Sequence, residues 1–271
     1  MKILVVGGVA GGATAIARLR RLDEDADIIL FEKGKYVSFA NCGLPYYIGG
    51  AIARREALFV TTPEEIEAKY NIDIRTENEV LSINREEKSV LVKNHATGEE
   101  YTEIYDKLLL STGSTPFVPP VDGVNAKNVF TLWTIPDVDK IQSYINDTAA
   151  KKAVVVGGGF IGLEMAENLV DRGLHVTVVE MAPQVMPPLD QDMAKIVENH
   201  MRSKGVDLRL NIGFNGTADD GKKVLLNNGD SIDADIVILS IGVRPQSKLA
   251  VDARLDLNER KGVRVDEYNQ T

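Results

Sequence analysis

Cysteine is almost missing from this chain: Cys42 is the only one in 271 residues. A single thiol cannot close a bridge within the chain, which excludes a disulfide-stapled scaffold and a redox cycle run by two cysteines of one subunit. Redox chemistry at Cys42 is left with a mixed disulfide, a persulfide or a sulfenic acid. The plain alternative is an inert buried thiol, because free cysteine is among the most buried residue types. Long apolar runs are missing too. No stretch reaches the roughly 20 residues of a membrane span, and Met1, Lys2 and Ile3 lead directly into a strand-like run with no leader pattern, so a cytoplasmic protein without a membrane partner is expected. Histidine is scarce, at three residues. His95 falls at an expected hairpin tip and His200 on an expected apolar stripe, and no metal site is expected. Positive charge is in deficit, with 31 basic against 40 acidic residues and a net charge of -9. That disfavours nucleic acid as a partner, and any anionic ligand must find a local positive site.

Cys42 lies in residues 38–47, Ser-Phe-Ala-Asn-Cys-Gly-Leu-Pro-Tyr-Tyr. Gly43 and Pro45 suit a loop entering a helix, where unpaired N–H groups favour a thiolate. Before it, the apolar run 3–6 ends in Gly7-Gly8-Val9-Ala10-Gly11-Gly12, and Ala13, Ile16, Leu19 and Leu22 follow at helical spacing. A second apolar run, 28–31, ends at Glu32, twenty residues past Gly12. Strand, glycine turn, helix, strand and acid form a unit in which glycines admit a pyrophosphate at the helix N-terminus and the acid holds a ribose. Val9 stands where the middle glycine of the fingerprint belongs. Thr14, Arg18 and Arg21 share one face of the helix. They either form a polyanion site or are arginines solvated near a helix end.

Further on, Thr62, Pro63 and Glu65 open a short helix to about Tyr70. Runs at 72–75, 80–84 and 90–93 read as a three-stranded meander. The strand 108–111 closes at Thr112-Gly113-Ser114-Thr115-Pro116, the best internal boundary, and Ile241-Gly242-Val243-Arg244-Pro245 echoes it. Between the two, a helix is expected at 135–145. The strand 153–156 then leads into Gly157-Gly158-Gly159-Phe160-Ile161-Gly162, a complete fingerprint with a helix, the strand 176–179 and Glu180 behind it. A turn-helix pattern around Met193, Ile196, Val197, His200 and Met201 follows, and then strands at 206–210, 235–240 and 262–266. The same unit thus occurs twice, about 150 residues apart. Two adenine dinucleotides on one chain point to a flavin that receives hydride from a nicotinamide.

With these motifs in place, the chain resembles the flavin-dependent pyridine nucleotide-disulfide oxidoreductases over its whole length. It is most similar to their single-cysteine branch of coenzyme A disulfide reductases and NADH-dependent persulfide reductases. The resemblance implies an α/β fold of two Rossmann-like domains of the glutathione reductase type. Each would have a parallel sheet and a β-meander, with an FAD domain of residues 1–113 and 243–271 and an NAD(H) domain, 114–242, inserted in it. It implies that Gly7, Gly8, Gly11, Gly12, Glu32, Lys33, Thr112 and Gly113 hold FAD. Cys42 would be the redox-active nucleophile, with Ser38 and Asn41 lining its pocket and Thr14, Arg18 and Arg21 meeting the coenzyme A nucleotide. Gly157, Gly159, Phe160, Ile161, Gly162, Glu164, Glu180 and Gly242 would hold NADH, with Glu180 disfavouring a 2′-phosphate.

The expected substrate is coenzyme A disulfide, coenzyme A persulfide or a related low-molecular-weight disulfide or polysulfide. The NADH oxidase and peroxidase type of the same family shares the single cysteine, but it carries a histidine in the first glycine turn, where Ala10 stands here. NADH oxidation through a sulfenic acid, electron transfer to a protein partner, and a non-catalytic nucleotide-binding fragment are the alternatives. Members of the family continue with a Pro-x-Ile-Tyr-Ala-x-Gly-Asp segment and a dimerisation domain. Both are missing from these 271 residues, so a truncated chain of a homodimeric enzyme is expected.

Overall fold

The run at 2–6 is apolar without alternation because both of its faces are covered, as in a parallel sheet. In the computed structural model, which describes residues 1–271, Lys2–Val6 lies inside a four-stranded parallel sheet. The spatial order is Asp73–Thr76, Asp27–Glu32, Lys2–Val6, Lys107–Leu110. The helices in chain order are α1 (Gly11–Leu22), α2 (Leu44–Gly49), α3 (Pro63–Tyr70), α4 (Ile135–Thr148), α5 (Phe160–Asp171), α6 (Gln191–Ser203) and α7 (Lys248–Asp252).

By packing, the chain forms two units. The first comprises Met1–Ala40, Phe59–Thr115 and Arg244–Thr271, and the second Asn41–Leu58 and Pro116–Val243. In the first unit, Ile3, Val5, Ile28 and Leu30 pack with Ile16 of α1 and Ile66 of α3. Their neighbours Leu4, Val6, Ile29 and Phe31 face the opposite way, onto Val80, Val90 and Val92 of an antiparallel sheet. Thr62 caps α3 with the reciprocal Glu65 bonds that the sequence predicts.

The antiparallel sheet is Asn78–Asn84, Ser89–Asn94 and Glu100–Ile104. This corrects the expected meander, because the first of its three runs belongs to the parallel sheet instead. Asp73–Thr76 pairs with Asp27–Glu32, which places Ile74 in the core. The true third strand, Glu-Tyr-Thr-Glu-Ile, alternates exposed Glu100, Thr102 and Ile104 with half-buried Tyr101 and Glu103, and reads as polar chain. Tyr101 faces inward, where its hydroxyl donates to Asn78 Oδ1 at 2.8 Å and its ring lies against the Arg75 guanidinium. The expected strand at 262–266 reduces to a bridge between Leu257 and Val263. Asn258 and Asp266 side chains accept the N–H groups of Gly262 and Gln270, which curl that segment into turns.

The second unit repeats the plan. Its parallel sheet runs Asp207–Arg209, His175–Val179, Lys152–Val156, Ile236–Leu239, Val129–Phe130, beside an antiparallel sheet of Phe214–Ala218, Lys223–Leu226 and Ser231–Asp233. Val154, Val156, Val179, Val237 and Leu239 pack on Val224, Leu226 and Ile232 of the latter. α6 departs from expectation. Ala194, Glu198 and Met201 form its buried face, whereas His200 is exposed, as are Met193 and Ile196. Glu198 can go inside because Lys195 and Arg202 reach its carboxylate at 3.1 and 3.4 Å. The helix is therefore rotated from the face that its large apolar residues predict. His95 is exposed at its hairpin end and meets Glu79 at 2.9 Å.

Candidate functional site

Each parallel sheet ends in a glycine turn that only glycine fits. Gly7 has φ +100, and a Cβ on Gly12 would stand 1.7 Å from the Gly7 carbonyl oxygen. Gly157 has φ +110, and a Cβ on Gly162 would stand 2.0 Å from the Gly157 carbonyl oxygen. The close packing of turn against helix leaves the first helical N–H groups facing outward, which suits a pyrophosphate. Nothing lies within 4 Å of the Cβ position of Gly159, so that turn has open space before it. Val9 does not break the first turn: it stands half-exposed beside Gly8, and the packing of Gly12 is kept.

The two acids do more than the spacing predicts. Glu32 accepts the Gly8 N–H with one oxygen at 2.8 Å and the Gly34 N–H with the other at 2.7 Å. Glu180 does the same with Gly158 at 2.5 Å and Ala182 at 2.7 Å. Each carboxylate thereby ties its glycine turn to the turn following the second strand. Each oxygen keeps a lone pair for a ribose hydroxyl.

Three further residues complete the cradles, and the sequence reading passed over them. Ser111 packs its carbonyl against Gly7 and its hydroxyl against Gly11, and Ser240 backs Gly157 and Gly162 in the same way. Gln246 accepts from Lys33 Nζ at 3.0 Å through its side chain and from Thr112 Oγ1 at 2.8 Å through its carbonyl. The repeat of Ser-x-Gly at Ser111-Thr112-Gly113 and Ser240-Ile241-Gly242 is the signal that could have found both serines. Gly113 and Gly242 have φ of +66 and +105 with open space beside them.

Residues 38–47 divide between the units. Ser38 belongs to the first, at φ +46, with its N–H on the Gly8 carbonyl at 3.0 Å. A left-handed serine is uncommon, and here it is fastened to the first glycine turn. Asn41 and Cys42 belong to the second unit, on a 3-10 turn directly ahead of α2, with Pro45 in its first turn. Cys42 is exposed, which excludes the inert buried thiol, and Asn41 Nδ2 donates to the Trp133 carbonyl at 3.3 Å.

α2 lies on α5. Gly49 faces the side chain of Asn168, and Asn168 Nδ2 donates to the Glu164 carbonyl at 2.8 Å. One turn earlier, the phenol of Tyr46 is pushed above its ordinary pKa, mainly by the charge of Glu164, with Cys42 among the lesser causes. Burial, and then the charge of Glu167, push the Glu164 carboxyl up as well. Cys42, Tyr46, Glu164 and the 157–162 turn are thus gathered in one packed unit. Phe160 stands 63% exposed at the start of α5, and Ile161 next to it is half-buried. Thr14, Arg18 and Arg21 are all exposed on α1, in the first unit, and form one polar-basic stripe.

The family model for pyridine nucleotide-disulphide oxidoreductases matches residues 1–271. The coenzyme A disulfide reductase of Staphylococcus haemolyticus is 38% identical over 270 residues, covering 100% of this chain and 60% of that protein. Among solved structures, the reduced CoADR-RHD of Bacillus anthracis is 51% identical with a TM-score of 0.98, covering 99% of this chain and 48% of that one. An NAD-dependent persulfide reductase from A. fulgidus is 39% identical with a TM-score of 0.95, covering 99% and 51%. The chain spans about 60% of the length of the curated relatives it matches. With two glycine cradles, each braced by its acid and backed by its serine, and a match over every residue, the chain belongs to the pyridine nucleotide-disulphide oxidoreductase family.

Proposed function

We propose that this chain carries the nucleotide-binding and thiol-bearing part of a flavin-dependent NADH oxidoreductase that reduces coenzyme A disulfide, coenzyme A persulfide or a related low-molecular-weight disulfide through Cys42. The observation that carries this reading is an exposed single cysteine ahead of a helix that packs on the helix of the second glycine turn. The glycine packing, the braced acids and the backing serines fit the groups that the family uses. Gly7, Gly8, Gly11, Gly12, Glu32, Lys33, Thr112 and Gly113 would hold FAD. Gly157, Gly159, Phe160, Ile161, Gly162, Glu164, Glu180 and Gly242 would hold NADH. Residues 1–113 and 243–271 then serve the flavin and 114–242 the nicotinamide nucleotide. Coenzyme A disulfide is favoured by the naming of the Staphylococcus relative, and a persulfide by that of the A. fulgidus enzyme.

In this reading the Cys42 thiolate attacks one sulfur of the substrate. A bond forms between Sγ and that sulfur, the substrate S–S bond breaks, and the electron pair leaves with the second sulfur, which takes a proton from water. When bound, FAD supplies the passage of an electron pair from NADH to the mixed disulfide, returning the thiolate and releasing the second thiol. Thr14, Arg18 and Arg21 would hold phosphate groups of the nucleotide, and Ser38 and Asn41 flank the thiol in the chain. Glu180 favours NADH, since a carboxylate repels a 2′-phosphate and Met181-Ala182-Pro183 supplies no arginine.

The test is mass spectrometry and kinetics on the chain with added FAD. Incubation with coenzyme A disulfide should add one coenzyme A to Cys42, and NADH should remove it, with NADPH at least about tenfold less effective. Cys42→Ser should take up none. Disulfide reduction by Cys42→Ser at the parent rate would point to electron transfer without the thiol. NADH oxidation driven faster by peroxide or oxygen than by the disulfide would point to an oxidase.

A further inference from the structure

We infer that Arg172, acting with Gln142, is a positioning residue for Cys42, and that it ties the reactivity of the thiol to occupation of the second glycine turn. The inference rests on the reading of Cys42 as nucleophile and of the 157–162 turn as the NADH cradle.

α2 is only six residues long, so most of its carbonyls are terminal and have no partner within the helix. The Tyr46 and Tyr47 carbonyls accept locally from the Ile52 and Gly50 N–H groups, and two carbonyls are met by side chains of other helices. Arg172, the C-terminal cap of α5, donates to the Ile48 carbonyl at 2.6 Å, and Gln142 of α4 donates to the Tyr47 carbonyl at 3.2 Å. Arg172 also donates to Gln142 Oε1 and Asn146 Oδ1, so α4 and α5 grip the end of α2 through one network. A guanidinium is well suited there, as a fixed planar fork and as a cation at the negative end of a helix.

Nearby, Gly49 leaves no slack. A Cβ at that position would meet Asn168 Oδ1 at 2.2 Å and its Cβ at 2.8 Å. Ahead of α2, by contrast, the thiol's own turn is held to the rest of the unit by the longer Asn41 contact to Trp133. Where α2 is gripped therefore decides where Sγ stands.

The grip sits on the helix whose first turn is the glycine cradle. α5 has twelve residues, about 18 Å at 1.5 Å per residue. A helix this short and this well packed moves as one piece, so a nucleotide that draws in its N-terminal end also shifts Arg172, the Ile48 carbonyl and α2. No sequence motif signals this, since Arg172 and Gln142 are joined only by the fold.

The test is the rate of Cys42 alkylation by iodoacetamide, with and without saturating NADH, in the 271-residue chain. NADH binding is followed separately by fluorescence. In the parent chain NADH should change the rate about fivefold or more. In Arg172→Ala the two rates should converge while NADH still binds, and Arg172→Lys should keep part of the response. Gln142→Ala changes α4, keeps the Arg172 bond to the Ile48 carbonyl and should weaken the response as well, which keeps the test decisive should Arg172→Ala fail to fold. A full response in both Gln142→Ala and Arg172→Lys overturns the inference, since NADH would then be shielding the thiol directly. A parent rate indifferent to bound NADH overturns it too. A chain that binds no NADH overturns the inference and the proposed function together, whereas bound NADH without coupling removes the inference alone.

Discussion

A carboxylate in a glycine-cradle protein can serve ligand or fold, and Glu32 and Glu180 serve the fold in the structure itself. Their paired bonds to backbone N–H groups place each glycine turn before any nucleotide arrives, which lowers the ordering cost of binding. Glu164 is of another kind. It lies half-buried beside Glu167, and its proton is held more tightly in the folded chain than in the unfolded one. A carboxyl with a raised folded pKa costs no stability below its unfolded value near 4.5, and its penalty grows as pH rises through the folded value. Glu164→Gln, neutral throughout, should therefore raise Tm by about 1–2 °C near pH 7 and leave it unchanged near pH 4. Equal losses at both pH values in thermal scans would show that the carboxylate makes a bond that holds the unit together. Tyr46 should follow, since Glu164 is the first cause of its raised pKa.

At the scale of elements, the seating of α2 on α5 is the contact most exposed to a single change. Gly49 meets Asn168, a residue 2% exposed and bonded to the Glu164 carbonyl, so the partner cannot withdraw. Gly49→Ala should cost about 1–3 kcal/mol through overpacking and should change the Cys42 alkylation rate in the same chain. A variant with unaltered Tm and unaltered alkylation would show that α2 is loosely seated. The elements also mark where reading by pattern succeeds and where it fails. The two nucleotide units were legible because glycine spacing, apolar runs and a closing acid are local features. The strand at 100–104 was not, because one face is solvated and its half-buried tyrosine gains its place only by packing on Arg75 and Asn78. α6 was misread for a related reason. Met193 and Ile196 are exposed, and Glu198 is buried because Lys195 and Arg202 neutralise it, a compensation that periodicity cannot see.

For the molecule as a whole, the net charge of -9 sets the terms on which a phosphate-bearing substrate can be held. In the proposed function, the exposed stripe of Thr14, Arg18 and Arg21 is the local exception on which such binding would depend. Replacing Arg18 and Arg21 together with alanine should slow mixed-disulfide formation with coenzyme A disulfide about tenfold at low salt. The reaction with a small uncharged disulfide should be unaffected, and the difference should shrink as salt rises. Equal slowing with both disulfides, measured by thiol release, would remove the stripe from substrate binding.

From the sequence alone came two dinucleotide cradles, their acids, a single thiol in a loop before a helix, and the family. These rest on backbone conformations that only glycine permits and on residue types bound to one chemistry, so they are written locally along the chain. Tertiary structure decided what distance along the chain conceals. The helix after the cysteine packs with residues more than ninety positions away, Ser111, Ser240 and Gln246 back the cradles, and Glu198 lies beneath α6 with Met201 while Met193 and Ile196 stay outside. Those outcomes depend on which faces meet and which charges find partners, and close packing settles that only when the whole chain is folded.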